Sequence, residues 1–328
     1  MKVFVYSYRS FDEGPIFQDY ASKYQIELGV TDKRPTLSNL SLAEGYDYIN
    51  IITTPIDKPM LMELSRMGIK MITTRTIGYD HIDFQTAKEL GIKVSNITYD
   101  PHCVAEYTLM LMLMSLRRMK QVMARAAIND FTLKGIQGRV MKNLTVGVLG
   151  TGRIGTTLIE LLSGFGCRIL AYDKYQNDTV KKYASYTDLS TIYKECDLIS
   201  LHMPSSDETF HMIDKEAISQ MKENVVIINT ARGSLICLSD LMDALESGKI
   251  GAAGLDVIEE EFDLYYYDRK NDILPHRTMS ILRGYPNVIL SPHMAFYSDQ
   301  TIHDMVKNSL KSCVLEEQGL PNPWLVRQ

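Results

Sequence analysis

The sequence predicts an α/β protein in which parallel sheets are covered by helices, a doubly wound architecture spread over two domains. Three observations carry that reading. Short apolar segments of strand length alternate with amphipathic helical segments along the 328-residue chain, the signature of strand–helix–strand units. The length suffices for two such sheets. One strand–helix junction also carries a glycine-rich turn, and open parallel sheets place their ligand loops at such junctions.

In the first hundred residues KVFVYS, Tyr48–Thr53, KMITTR and KVSNIT read as strands, with helices between them such as the one around Pro59–Met67. Pro101 interrupts this series, and residues 102–125 read as one long helix that opens a new domain. A stronger strand series follows: LTVGVLG, RILAYD, CDLISLHM, VVIINT, IGAAGLDV and NVILSP. Residues 298–318 read as a last helix, stopped by Gly319 and then Pro321 and Pro323. The expected domains are therefore residues 1–99 and 100–298, with a terminal helical segment over 299–328.

Composition narrows the function. An apolar fraction of 45% and a charged fraction of 23% are those of an ordinary globular protein. A net charge of −5 argues against nucleic acid and anionic membrane as partners, because no basic excess exists to neutralise phosphates. The greasiest stretch, Val104 to Met114, is too short for a membrane span and carries Glu106. The start MKVFVYS runs straight into a strand without a signal segment. Five scattered cysteines (Cys103, Cys167, Cys196, Cys237 and Cys313) suit a reducing cytoplasm and give no thiolate metal site.

The strongest motif is LTVGVLGTGRIGTTLIELLSGFGCRILAYD. Gly150, Gly152 and Gly155 lie between an apolar strand and an amphipathic helix, and Asp173 ends the next strand twenty-three residues after Gly150. Gly150 permits the tight turn, Gly152 lets a pyrophosphate approach the backbone, and Gly155 lets helix and strand pack closely. The unpaired N–H groups at the helix start then face the phosphate charge. Strand before, helix after and acid at this distance together predict a dinucleotide site. A carboxylate at Asp173 accepts from the ribose hydroxyls and repels a 2′-phosphate, so the cofactor is expected to be NAD rather than NADP. The plainer alternative, an Asp that only caps a turn, leaves that choice open.

Downstream, polar residues sit where strands open into loops: Arg232 in NTARGSL, the trio Glu259, Glu260 and Glu261 after GLDV, and His293 in VILSPHMAFYS. In an open parallel sheet these strand ends face one crevice. A guanidinium suits a carboxylate or carbonyl oxygen. An imidazole exchanges protons near neutral pH, and a carboxylate on its other nitrogen orients it. The residues alone do not choose among the three glutamates.

NTARG, GAAGLDVIEEE and SPHMAFYS, with GTGRIG upstream, resemble the D-isomer-specific 2-hydroxyacid dehydrogenase family. TRTIGYDHID and NITYDPHCVAEYTLML extend the resemblance over nearly the whole chain, toward its D-lactate dehydrogenase branch, with TRTIGYDHID and GFGCRILAYD similar to the vancomycin-resistance D-lactate dehydrogenase. The resemblance implies an oxidoreductase with a Rossmann NAD domain and a smaller, flavodoxin-like α/β substrate domain to which the C-terminal helix returns. It implies a catalytic set of Arg232, Glu261 and His293, with Glu261 selected by its place five residues after Asp256. It implies that the backbone N–H groups of Ile77 and Gly78, with Tyr99, hold the substrate carboxylate, and that Arg232 binds the C2 oxygen, with the carboxylate as its second contact. It also implies cofactor contacts from Arg153, Ile154, Asp173, Met203, Pro204, Thr209, Thr230, Ala231, Arg232 and Asp256. Thr209 departs from the Asn found there in some D-lactate dehydrogenases. The implied reaction is reduction of pyruvate to D-lactate by a cytoplasmic homodimer. A bulkier D-2-hydroxy acid such as hydroxyisocaproate or phenyllactate is the alternative, followed by an NAD-sensing corepressor-type binding protein.

The other histidines read as structural or surface groups: His81, His102, His202, His211, His276 and His303. The methionines at 110, 112 and 114 read as packing residues of a core or dimer face, and Tyr265–Tyr267 as a surface excursion or a cover over the site.

Overall fold

The computed structural model describes residues 1–261 and 264–326, and the chain divides into two compact units, Met1–Asp100 with Tyr297–Gln328, and Pro101–Phe296. The sequence reading puts these boundaries at 99/100 and 298/299. Tyr297 falls with the first unit, where its hydroxyl donates to Asp12 Oδ2 at 2.9 Å.

The first unit is a five-stranded parallel sheet made of β1 (Lys2–Val5), β2 (Glu27–Val30), β3 (Tyr48–Ile51), β4 (Met71–Thr74) and β5 (Lys93–Ser95). Their order is β2-β1-β3-β4-β5, the flavodoxin-like doubly wound order. Side chains alternate across the sheet. Val3 and Val5 pack with Phe17 and Tyr20 of helix Gly14–Tyr24 and with Val306 and Leu310 of helix Asp299–Glu317. Phe4, Ile49, Ile51 and Ile72 meet Met60, Leu61 and Leu64 of helix Lys58–Arg66 on the other face. The strand β2 is absent from the sequence reading. It is a half-exposed edge strand, ELGV, without an apolar run, and pairing with β1 is what defines it.

The second unit is a seven-stranded parallel sheet: β6 (Thr145–Leu149), β7 (Arg168–Tyr172), β8 (Ser185–Tyr186), β9 (Leu198–Leu201), β10 (Val225–Asn229), β11 (Ile250–Leu255) and β12 (Val288–Leu290). The order β12-β11-β10-β9-β6-β7-β8 is the Rossmann order with one further strand, and it reverses between β6 and β9. Ligands of such sheets bind beyond the carboxyl ends of the strands at that reversal. The strands are near-continuous apolar runs because both faces are covered. Leu111 and Met112 of helix His102–Leu116 pack with Leu158 and Ile159 on one side, and Ile218, Leu241 and Leu245 on the other.

One expectation is corrected. Residues 102–125 are not a single helix but two, His102–Leu116 and Met119–Ala126, because Arg118 takes a left-handed φ of 53°. The Leu116 carbonyl accepts from Arg139 N–H at 2.9 Å instead of continuing the helical ladder. Among the described residues no helix is long and apolar enough to cross a membrane.

Candidate active site

The glycine turn follows β6 directly. Gly150 has a φ of +96°, and a Cβ there would lie 2.6 Å from the His202 carbonyl oxygen. A Cβ on Gly155 would lie 2.0 Å from the Gly150 carbonyl oxygen, so both positions require glycine. At Gly152, by contrast, a Cβ would meet nothing within 4 Å. This open face is the N-cap of helix Arg153–Ser163, which has no side-chain cap, so the N–H groups of Arg153, Ile154 and Gly155 start the helix unclaimed by a capping side chain. Asp173 turns back onto the same loop, accepting from Thr151 N–H at 2.6 Å and Tyr175 N–H at 2.9 Å. Lys174 pairs with Glu208. An open helix start and a carboxylate at the end of the next strand fit the diphosphate and ribose of a dinucleotide. Beneath the turn, burial lowers the His202 pKa to about 4 and keeps its ring neutral.

Across the reversal, loops after β10, β11 and β12 meet. Asn229 shapes the first of them: its side chain accepts from Ala231 N–H at 3.0 Å and donates to the Arg232 carbonyl at 2.8 Å. Arg232 Nη1 donates to the Ala231 carbonyl at 2.7 Å. A Cβ on Gly233 would sit 2.1 Å from the Ile258 backbone, so glycine lets the arginine turn touch the acidic loop.

The acidic loop sorts its three glutamates. Glu259 meets His211 Nε2 at 2.5 Å. Glu260 is exposed in a left-handed turn with φ 56°. Glu261 Oε1 lies 2.5 Å from His293 Nδ1, and its Oε2 accepts from Ile258 N–H at 3.0 Å. Burial alone would lower the His293 pKa, but the hydrogen bond and charge of Glu261, helped by Asp256, outweigh it and raise the value above 6.5; Arg232 opposes them. The structure thus gathers Arg232, Glu261 and His293 into one electrostatic neighbourhood. With Nδ1 committed to Glu261, Nε2 is the ring nitrogen left to face a substrate, and the side chain is 26% exposed.

His293 has a φ of 52°, a conformation that non-glycine residues adopt only under constraint. Asp256 supplies the constraint. Fully buried, it accepts from Ser291 Oγ at 2.6 Å, Met294 N–H at 2.8 Å and Ala295 N–H at 2.8 Å, while its own carbonyl accepts from His293 N–H at 2.8 Å. Tyr266 adds a hydrogen bond to the His293 carbonyl at 2.8 Å.

Residues 109–295 match the family described as D-isomer specific 2-hydroxyacid dehydrogenase, NAD binding domain. The chain belongs to this family. The dehydrogenase is 40% identical over 315 residues to the aromatic 2-oxoacid reductase of Clostridium sporogenes, covering 94% of each chain. It is 35% identical over 322 residues to the D-lactate dehydrogenase of Escherichia coli, covering 97% of this chain and 98% of that one. It superposes with a TM-score of 0.84 on the NAD-complexed D-isomer specific 2-hydroxyacid dehydrogenase of Lactobacillus delbrueckii ssp. bulgaricus, at 31% identity and 100% coverage of both chains. It is an NAD-dependent D-2-hydroxyacid dehydrogenase, with NAD as its cofactor.

Other residues singled out in the dehydrogenase take different places. Met203, half-buried against the core, and Pro204, exposed, follow β9. Thr209 is buried, and its hydroxyl is engaged within its own loop, donating to the Pro204 carbonyl at 2.7 Å and accepting from Ser206 N–H at 2.9 Å. Thr230 meets the Thr108 hydroxyl at 2.8 Å. In the first unit, the loop after β4 holds Ile77 and Gly78 by their carbonyls, which accept from Asn96 Nδ2 at 2.7 Å and Thr76 Oγ1 at 2.5 Å. Tyr99 is half-buried in the same unit. Sequence reasoning missed three supports: Asp256 as the brace of the His293 loop, His211 as the partner of Glu259, and Tyr266 on the His293 carbonyl. The one signal for Asp256 was an acid inside an apolar strand end, a place where a carboxylate needs several donors.

Proposed function

We propose that the dehydrogenase reduces pyruvate to D-lactate, with His293 as the proton donor. The observation that carries the assignment is the Glu261–His293 pair at 2.5 Å. Gly150–Gly155 and Asp173, with the loops at 203–209 and 230–232 and Asp256 alongside, would hold NADH, which would supply the hydride for C2. Glu261 fixes the ring through Nδ1, so the Nε2 proton is the one presented. Glu261 raises the imidazole pKa and so favours the protonated form of His293, which gives that proton to the C2 oxygen as charge develops there. Arg232 polarises the same oxygen and stabilises its negative charge. In the first unit the N–H groups of Ile77 and Gly78, with Tyr99, bind the substrate carboxylate. In the reverse direction the neutral imidazole accepts the proton.

The whole-length match to the D-lactate dehydrogenase of Escherichia coli supports pyruvate. One observation favours a larger 2-oxo acid: the higher identity, 40%, to a protein named as an aromatic 2-oxoacid reductase. NADH oxidation with pyruvate, 2-oxoisocaproate and phenylpyruvate decides between them. Pyruvate is expected to have the highest kcat/KM, and the product is expected to be the D isomer. A preference for phenylpyruvate selects the second reading, and folded protein that turns over none of them overturns both.

The reading includes a cytoplasmic homodimer. Met110, Met123, Ile128, Phe131 and Leu133 are exposed on the segment from residue 102 to 140, an apolar surface that a second copy would cover. Sedimentation at twice the monomer mass is expected, and a monomer at micromolar concentration removes this part of the reading.

A further inference from the structure

Glu259 and Glu261 lie two residues apart in the loop after β11, and each carboxylate takes a different histidine. Glu259 is anchored at three points. Its Oε1 meets His211 Nε2 at 2.5 Å, its Oε2 accepts from Leu238 N–H at 3.3 Å, and its carbonyl meets His276 Nε2 at 3.0 Å. His276 Nδ1 accepts from Met279 N–H, so its Nε2 carries the proton and donates. His211 is itself set in place: with a left-handed φ of 50° it donates its N–H to the Ser234 carbonyl at 2.8 Å, and its ring stacks on Phe210 at 3.9 Å. Ser234 lies two residues beyond Arg232, and Glu259 two residues before Glu261. One residue thus joins the arginine turn by its backbone to the acidic loop by its ring.

We propose that His211 is a positioning residue for the acid–base pair: through Glu259 it fixes the acidic loop so that Glu261 stays on His293 beside Arg232. The proposal rests on the reading of His293 as the proton donor. Physically, a short hydrogen bond to a carboxylate is among the stronger side-chain contacts, and this one is partly shielded, the two side chains being 31% and 26% exposed. Without it the Glu259 side chain keeps the Leu238 contact and its backbone the His276 contact, the loop is held less firmly at that point, and Glu261 can shift. Displacement by about 1 Å at a catalytic group lowers turnover by up to about a hundredfold. The charges facing His293 are Glu261 and Asp256, which favour the imidazolium, and Arg232, which opposes it; Tyr266 is hydrogen-bonded to the His293 carbonyl. Loss of Glu261 from the ring therefore tips that balance toward the neutral form.

The test breaks the pair from either side, with His211→Leu and Glu259→Ala, and restores a donor with His211→Gln. It measures the pH dependence of kcat for 2-oxo acid reduction and follows the His293 ring titration by NMR in the full chain. The Leu and Ala variants are expected to lose about tenfold to a hundredfold in kcat, with the His293 titration moved toward acid; His211→Gln should recover most of both. The profile of whichever variant folds decides: a wild-type His293 titration in folded His211→Leu or Glu259→Ala overturns the proposal, even where kcat falls. His293→Ala, run in parallel, separates the two claims. Full turnover in His293→Ala removes the proton-donor assignment itself, whereas an inactive His293→Ala beside an unmoved His211→Leu removes only the positioning role.

Discussion

Glu261 and His293 stand 2.5 Å apart although 32 residues separate them in the chain. The contact exists because β11 and β12 are parallel neighbours, so the loops at their carboxyl ends open side by side. Asp256, at the end of β11, then ties the second loop to the first.

His293→Ala should lower kcat by about two to four orders of magnitude, the range of a lost general acid. Steady-state NADH oxidation measures it. Near-normal turnover by correctly folded protein would assign the proton to another group.

The pair also predicts a pH dependence. Reduction needs the imidazolium, so its rate falls as pH rises through the raised His293 pKa, while oxidation of the hydroxy acid rises over the same range. Glu261→Gln removes the charge that raises the value, and the falling limb should move toward acid. The same linkage acts on stability: the pair's contribution is complete below the unfolded histidine value of ~6.5 and fades as pH rises through the folded one. An unmoved rate profile in the Gln variant would show that Glu261 does not set the titration.

Asp173 should make NADH the preferred coenzyme over NADPH by at least about tenfold in kcat/KM, since a carboxylate beside a 2′-phosphate is repulsive. Asp173→Asn removes the charge while keeping one of the two acceptors that the Thr151 and Tyr175 N–H groups use, so it should narrow that preference. Equal use of both coenzymes by the unmodified protein would remove Asp173 from this role.

Asp256→Asn places an amide N–H₂ among the N–H groups of Met294 and Ala295 and the Ser291 hydroxyl. Leaving buried donors unpaired costs roughly 1–3 kcal/mol, readable by urea unfolding, and the left-handed turn at His293 should loosen with it, lowering kcat. Unchanged stability would mean that the loop is held by other contacts.

By itself the sequence determined what is local and repetitive. Two series of apolar strands specify two parallel sheets, and the spacing of Gly150, Gly152, Gly155 and Asp173 specifies a dinucleotide turn, because both depend on neighbours within a few tens of residues. The edge strand β2 and the break at Arg118 escaped it, since each is defined by a partner elsewhere, β1 for the one and Arg139 for the other. Among Glu259, Glu260 and Glu261 composition cannot discriminate; the family resemblance picks one by counting, and geometry shows each with a different surrounding. Which carboxylate faces which histidine depends on how the turns after β10, β11 and β12 settle against one another. That is a property of strand register, loop strain and buried hydrogen bonds, and only the tertiary structure decides it.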